Sequence, residues 1–269
     1  MIFFDNNSND DTVVKIKHHV KNYSPVLIKD FDKTNSGLVK IISSEENLGY
    51  AMGINHANAY ATGSKLIILN PDAEVISLDL SGMKEFFDKK QNIFAIGGKL
   101  IHATGEGIEK TAGRFYSVID YFFFSVGLEK LVNVRFAPKK GQRVDFVSGG
   151  ALAVDKIHFD ELLGFDERYF MYVEDMDICF RAKMKKLAVY YDSFIVMKHY
   201  GQGSSNREFA IVNIYKGMAL FAKIHYGSFK YLYVRLLLMF KAYLIISLGV
   251  LTNSKSLAGT YKKALKEIT

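Results

Sequence analysis

Lys65-Leu66-Ile67-Ile68-Leu69, followed by Asn70-Pro71-Asp72-Ala73-Glu74, sets the frame for the chain. An unbroken apolar run closed by a polar turn reads as a strand buried on both faces, the kind found in sheets covered by helices. In such a sheet, ligands bind beyond the carboxyl ends of the strands. Asp72 stands there, and a carboxylate projecting from a strand end is a natural ligand for a hard divalent cation bridging phosphate oxygens. The same residues also read as a type I turn with Pro71 in its second position.

Working outward, residues 2–4, 26–28 and 39–42 repeat the short apolar run, with helical patterns over 12–23 and 52–62 between them. Further strands are expected over 94–96, 144–147 and 151–154. A helix is expected over 174–186, with acids in its first turn and lysines in its last. This alternation predicts an α/β fold, with a mostly parallel twisted sheet flanked by helices.

Of the 269 residues, 49% are hydrophobic and 23% charged, enough to bury a core, which excludes general disorder. The single cysteine, Cys179, excludes an intramolecular disulfide framework and a Cys-rich zinc site. The apolar start at Ile2 is stopped at once by Asp5, which is not the pattern of a secretory leader. The net charge is +7, and from Lys223 onward eight basic residues face one acid, so the rest of the chain is balanced. A nucleic-acid binder spreads its charge over a groove-facing surface. Here the excess sits in an apolar tail, and no nucleic-acid partner is expected.

That tail reads as a helix over 208–225, a break at 226–228, and a nearly continuous apolar stretch over 229–251. Its length approaches the roughly 20 residues of a membrane span. Arg235 and Lys241 interrupt it, at about 2.5–3.5 kcal/mol each near the centre of a bilayer. A helix lying in the interface would let both reach the headgroups. Residues 1–207 are therefore expected to form one domain. Residues 208–269 are expected to form a helical, basic, membrane-associating tail that favours an anionic surface. A core helix with solvated charges is the alternative.

Three further clusters carry chemistry. Asp5-Asn6-Asn7-Ser8-Asn9-Asp10 follows the first strand. Asp5 there can accept hydrogen bonds from a base or a ribose, or the stretch is a polar turn capping a helix at Asp10 or Asp11. Asn47-Leu48-Gly49-Tyr50-Ala51-Met52-Gly53-Ile54-Asn55 is a glycine-bearing strand-to-helix turn, suited to close approach of a nucleotide or simply to a tight turn. Tyr172-Val173-Glu174-Asp175-Met176-Asp177 opens a helix with three acids. Asp177 and Arg181 are four apart and pair on one face. Any one acid reads as a dipole partner, but the apolar frame at 169–173 suggests partial burial of Glu174 and Asp175, which raises a carboxylate toward a useful base.

Taken in order, these clusters resemble the family 2 glycosyltransferases of GT-A fold, and within them the rhamnosyltransferase-like branch. With them come Ser148-Gly149-Gly150, the Gly164–Asp177 block and His199 ahead of Gly203-Ser204-Ser205. The resemblance covers roughly residues 2–207. It implies Asp5 on the base or ribose, with Asn47, Gly49, Asn70 and Asp72 in the nucleotide pocket. Asn70-Pro71-Asp72 stands where many members have Asp-x-Asp. It further implies Mg2+ or Mn2+ held by Asp72 and His199, although His199 also reads as a satisfied loop histidine. Asp175 is implied as catalytic base with Glu174 raising its pKa, and Ser148, Gly149 and Gly150 as donor or acceptor pocket. The implied reaction is inverting, metal-dependent transfer of a sugar, rhamnose favoured, from a nucleoside diphosphate sugar to a polyprenyl-linked saccharide acceptor. It belongs to surface polysaccharide (O-antigen) synthesis at the cytoplasmic face of the bacterial inner membrane, with the protein peripheral. A galactofuranosyl-type transferase and a non-catalytic membrane-associated remnant or assembly subunit are the alternatives. Family members normally carry a strand and a helix ahead of the Asp5 turn, so the chain is expected to start at the second strand, leaving an exposed sheet edge.

Overall fold

The computed structural model describes residues 1–23, 26–28, 39–201 and 206–269. The chain opens with β1 (Ile2–Asp5), α1 (Thr12–Val20), β2 (Val26–Ile28), β3 (Lys40–Ser43) and α2 (Gly49–Asn58). β4 (Lys65–Leu69), β5 (Ala73–Leu78), α3 (Leu80–Lys89), β6 (Ile93–His102), β7 (Ala112–Gly113) and α4 (Val118–Ser125) follow. Then come β8 (Arg135–Phe136), β9 (Gln142–Val144), β10 (Phe146–Val147), β11 (Ala151–Asp155), α5 (Lys156–Glu161), α6 (Glu174–Met184) and β12 (Ala188–His199). Three helices close the chain: α7 (Arg207–His225), α8 (Ser228–Leu251) and α9 (Lys255–Lys266).

β1, β3 and β2 form a parallel sheet, with β3 in the middle. The larger sheet runs β4-β11-β6-β12-β5, with β9 also on β12. The α/β class and the helix-covered sheet match expectation, but the strand directions are mixed. β6 and β12 are parallel, whereas β11 runs antiparallel to both its neighbours and β12 to β5 and β9. The reason is local. β5 follows β4 after only a short turn and β11 returns from a long excursion, so neither is fed by the crossover helix a parallel neighbour needs.

Alternation along the strands splits the core. Leu152 and Val154 of β11, with Val189 and Tyr191 of β12, face one side, together with Ile178 and Ala182 of α6 and Phe221 of α7. Ala151, Ala153, Ile195 and Met197 face the other, against Met83 and Phe87 of α3. Several boundaries differ from the sequence reading. The helix expected from 52 starts at Gly49 and ends at Asn58. The run expected over 144–147 divides into β9 and β10, which belong to different sheets. β5, β7, β8, β12, α3, α4 and α5 have no counterpart in the expectations, and α9 is a separate helix within the stretch expected to be helical.

α8 is amphipathic in an unusual sense. Its inward line, Val234, Leu238 and Ala242, joins the core that α6 and α7 build. Its two central cations also turn inward. Lys241 is buried, with Nζ 3.4 Å above the Phe124 ring and 3.5 Å from a Glu129 oxygen. Burial lowers its pKa, against the opposing pull of Glu129. Arg235 donates to the carbonyls of Ile268, at 2.7 Å, and Thr269. The outward face is left apolar: Phe229, Leu232, Leu236, Phe240, Tyr243, Leu244, Leu248 and Leu251 are all exposed. Among the described residues, α8 is the one helix long and apolar enough to cross a membrane.

Candidate active site

Strand register builds the centre. β4 and β11 pair with Leu69 opposite Ala151, which brings the turn after β4 against the turn before β11. The Asn70 N–H donates to the Gly150 carbonyl at 3.1 Å. A Cβ on Gly150 would stand 3.2 Å from the Asn70 side-chain nitrogen. Ser148 is tied back by its N–H to the Thr111 carbonyl at 2.7 Å. The Gly149 carbonyl accepts from the Tyr50 hydroxyl at 2.8 Å, and the Gly149 N–H donates to Asp175 at 3.3 Å. The glycine pair thus lies between the Asn70-Pro71-Asp72 turn and the acids of α6.

Those acids are held by strained backbone. Tyr172 and Val173 both adopt left-handed conformations, with φ of 70° and 71°, an arrangement rare for a β-branched residue and costing about 1–3 kcal/mol per residue. Gly217 of α7 admits the turn, since a Cβ there would lie 2.8 Å from the Val173 side chain. Glu174 and Asp175 are both buried. Asp175 accepts from the Met176 N–H at 2.8 Å besides Gly149. One Glu174 oxygen, Oε2, has no hydrogen-bond partner. Burial first, then the charge of Asp175, pushes the Glu174 carboxyl well above its ordinary pKa. The like-charge repulsion expected between the two acids therefore appears at Glu174. Burial and the same two carboxylates raise the Tyr50 phenol. The third acid, Asp177, is structural: it receives Arg181 at 2.7 Å, as expected, and also lies 2.6 Å from His225 of α7.

On the other side of Asn70, the Asp72 carboxylate lies 3.4 Å from His199 Nε2. His199 Nδ1 is 2.8 Å from Glu109. Burial disfavours the His199 cation, but the hydrogen bond and charge of Glu109, then Asp72, outweigh it and raise the pKa. Asp72 Oδ1 is buried without a hydrogen-bond partner. A carboxylate oxygen with no donor, beside an imidazole nitrogen, suits a divalent cation whose remaining ligands come from substrate phosphates. Among the described residues no cluster of three or more His, Cys, Asp or Glu is arranged to hold a metal by itself.

Asp5 ends β1, buried, with Oδ1 unpartnered. Its neighbour Asn6 connects it to the site, accepting from the Leu48 N–H at 2.7 Å and donating to the Gly49 carbonyl at 3.0 Å. Asn47 accepts from the Gly49 N–H at 3.0 Å. Gly49 has φ of 79°, and a Cβ there would fall 2.3 Å from the Phe170 carbonyl, so what demands the bare α-carbon is packing against the apolar frame. Asn55 closes the motif by donating to the Phe165 carbonyl and accepting from the Phe165 N–H, at 2.8 and 2.9 Å. Asn70, Asp72, His199, Gly149, Gly150 and Asp175 thus form one connected group, with Asp5, Asn47 and Gly49 linked to it through Asn6 and Tyr50. Gly203-Ser204-Ser205 lies outside the described residues.

Asn6 and Tyr50 sit inside recognisable motifs, but nothing in the sequence singles out their roles. Glu109 lies in no motif. Its one signal is an acid a few residues beyond a strand, in a segment with Gly105 and Gly107.

The sequence profile described as "Glycosyl transferase family 2" matches residues 1–162, more than half of the chain. The chain belongs to glycosyl transferase family 2. Family 2 membership agrees with the curated relatives. Rhamnosyltransferase WbbL of Escherichia coli (strain K12) is 26% identical over 197 residues, 70% of this chain and 73% of the relative. N-acetylglucosaminyl-diphospho-decaprenol L-rhamnosyltransferase of Mycobacterium tuberculosis is 46% identical over 57 residues, 21% of this chain and 19% of its own length. Among solved structures, GalNAc-T7 with UDP, GalNAc and Mn2+ matches at TM-score 0.57 and 16% identity, over 99% of this chain and 49% of that one. The Pyrobaculum calidifontis mannosyltransferase PcManGT with GDP-Man and Mn2+ matches at 0.52 and 11%, over 99% and 75%. The Staphylococcus aureus TarS fragment 1–349 matches at 0.52 and 14%, over 99% and 69%. This family 2 chain spans about half of the first of these structures. At such identities the likeness is one of fold, and the fold is GT-A-like.

Proposed function

We propose that this family 2 protein is an inverting, metal-dependent transferase. It moves a sugar, rhamnose favoured, from a nucleoside diphosphate donor to a saccharide carried on a polyprenyl lipid, in bacterial surface polysaccharide synthesis. The observation that carries this reading is the meeting of two turns at one end of β4 and β11. One bears Asp72 beside His199, and the other hands a backbone N–H to Asp175. The rhamnosyltransferase relatives support the sugar, and the decaprenol in one relative's name supports the lipid.

In this reading Asp5 receives the base or ribose, and Asn47 and Gly49 shape the pocket wall. Asp72 and His199 would hold Mg2+ or Mn2+, which supplies positive charge to the departing diphosphate. Ser148, Gly149 and Gly150 leave room for the donor sugar and acceptor. Asp175 removes the proton of the acceptor hydroxyl as its oxygen bonds to the anomeric carbon, and the bond from that carbon to the diphosphate breaks on the opposite face. Burial raises the Glu174 carboxyl well above its ordinary pKa, which disfavours a second charge beside the base. The transferase chemistry belongs to residues 1–207. Residues 208–269 attach the protein to the cytoplasmic face of the inner membrane as a peripheral protein, with the apolar face of α8 lying in the interface.

A donor screen with a synthetic polyprenyl-diphosphate saccharide and Mg2+ or Mn2+ tests the reading. Transfer with inverted anomeric configuration is expected, and Asp72→Ala should weaken divalent-cation and nucleotide diphosphate binding together. Absence of transfer with every donor, or metal-independent nucleotide binding equal in wild type and variant, overturns it.

A further inference from the structure

We propose that Glu109 is a positioning residue for the cation site, holding His199 so that its Nε2 faces the space beside Asp72. The proposal rests on the reading of Asp72 and His199 given above. Three strands assemble the arrangement. His199, the last residue of β12, stands in register with Ala73 of β5 on one side and His102 of β6 on the other. Asp72 precedes Ala73, so it arrives beside His199 without any long side chain. Beyond His102 the chain reverses through Gly105 and Gly107, both left-handed, with Ile108 bridging back to Ile101. The Glu109 N–H then donates to the Leu100 carbonyl at 2.9 Å. The reversal delivers the Glu109 carboxylate to the end of β12, 2.8 Å from His199 Nδ1 and 3.6 Å from His102 Nδ1.

The two ring nitrogens of His199 thus have different neighbours. Nδ1 meets the Glu109 carboxylate, which can only accept, so a hydrogen bond there places the N–H on Nδ1. Nε2 meets Asp72 Oδ2 at 3.4 Å, next to an Asp72 oxygen that nothing donates to. A histidine that binds a cation through one nitrogen needs the other N–H held, and a carboxylate holding it fixes both tautomer and ring orientation. Among the described residues, Glu109 is the side chain within hydrogen-bond reach of His199 Nδ1.

The test is titration of the full chain with Mn2+ alone, followed by the paramagnetic resonance signal of the free ion. The comparison covers wild type, Glu109→Ala, Glu109→Gln, His199→Ala and Asp72→Ala. Glu109→Ala should weaken binding about 10–100-fold, the range for loss of such an outer partner. Glu109→Gln keeps an acceptor oxygen and should bind Mn2+ clearly more tightly than Glu109→Ala. Wild-type affinity in Glu109→Ala, with loss in His199→Ala and Asp72→Ala, overturns the positioning role alone. Equal loss in Gln and Ala makes Glu109 a charge partner and overturns it too. Wild-type affinity in all four variants removes the cation site and this proposal with it. Should Glu109→Ala fail to fold, nitrogen NMR of wild-type histidines with Cd2+ decides. A protonated Nδ1 and a coordinated Nε2 on His199 are expected, and coordination through Nδ1 overturns the proposal.

Discussion

Glu174 and Asp175 are adjacent in the chain and nearly equal in burial, yet their surroundings assign them different work. Asp175 accepts from two backbone donors, the Gly149 and Met176 N–H groups. Glu174 keeps an unpartnered oxygen and a strongly raised pKa. Asp175→Asn should therefore cut turnover by about 10²–10⁴-fold, the usual worth of a positioned base, with nucleotide binding retained. Glu174→Gln imitates the protonated acid and should keep most activity. The reverse result would identify Glu174 as the base. The raised pKa also has a sign in stability. The folded chain holds the Glu174 proton where the unfolded chain has lost it. Its stabilising share is whole below the ordinary value of 4.5 and is lost as pH rises through the folded value. The melting temperature of Glu174→Gln should thus gain on wild type as pH increases, and thermal unfolding at pH 5 and pH 9 measures it. Asp72 and Asp175 were legible in the sequence because each sits in a short motif at a strand or helix end. Glu109 was not, because its partner His199 is 90 residues away and only strand register joins them.

Elements explain where else the sequence stops short. Buried strands such as β6 and β11 were readable from their apolar runs, whereas β4, expected to be buried on both faces, is an edge strand in which only Ile68 is buried, because no described strand of the sheet lies beyond it. Strand direction was not readable, since the direction of β11 depends on how the chain returns to the sheet. The left-handed pair Tyr172-Val173 was hidden for the same reason: local preference argues against it, and tertiary packing imposes it. Gly217 of α7 is its complement. Gly217→Ala gains about 1 kcal/mol of helix propensity and loses about 1–3 kcal/mol to overpacking against Val173. The melting temperature should move little. The acids at the start of α6 should shift, lowering kcat by about 10–100-fold; unchanged kcat would show that the turn does not position them. α4 offers a separate test. Its first turn is capped by Ser117 and closed by Asp120, which the Arg114 guanidinium grips at 2.5 and 2.6 Å. That grip first, with Ser117 assisting against burial, holds the Asp120 carboxyl at about 2 rather than 3.8. Its contribution, at most about 2 kcal/mol, is whole above 3.8 and lost as pH falls through about 2. Asp120→Asn should flatten that acid limb in a pH series of denaturant melts.

Seen whole, the molecule shares one hydrophobic core between the sheet and its last helices. The basic excess of the tail is partly paired within the chain, at Lys241 in the interior and at Lys263 on the surface. Arg235 binds backbone carbonyls, Lys241 approaches Glu129, and Lys263 pairs with Glu208. Binding to anionic vesicles should therefore depend on salt less steeply than eight free charges would require, the apolar face of α8 carrying the remainder. Leu236→Glu with Phe240→Glu, both outward, should abolish vesicle flotation without lowering the melting temperature. Retained flotation would remove α8 from the contact. The tail's character was legible as apolar and basic, but not the inward turn of Lys241, because that depends on Phe124 and Glu129, more than 100 residues earlier.

The outward face of α8 has a mechanical consequence. At about 1.5 Å per residue its 24 residues form a rod some 36 Å long. Seated as proposed, the rod occupies one leaflet only and pushes headgroups apart on that side, while the opposite leaflet is untouched. Such a wedge relieves packing stress where the outer leaflet is already stretched, so the protein should partition more strongly onto small, tightly curved vesicles than onto large, flat ones of the same lipid.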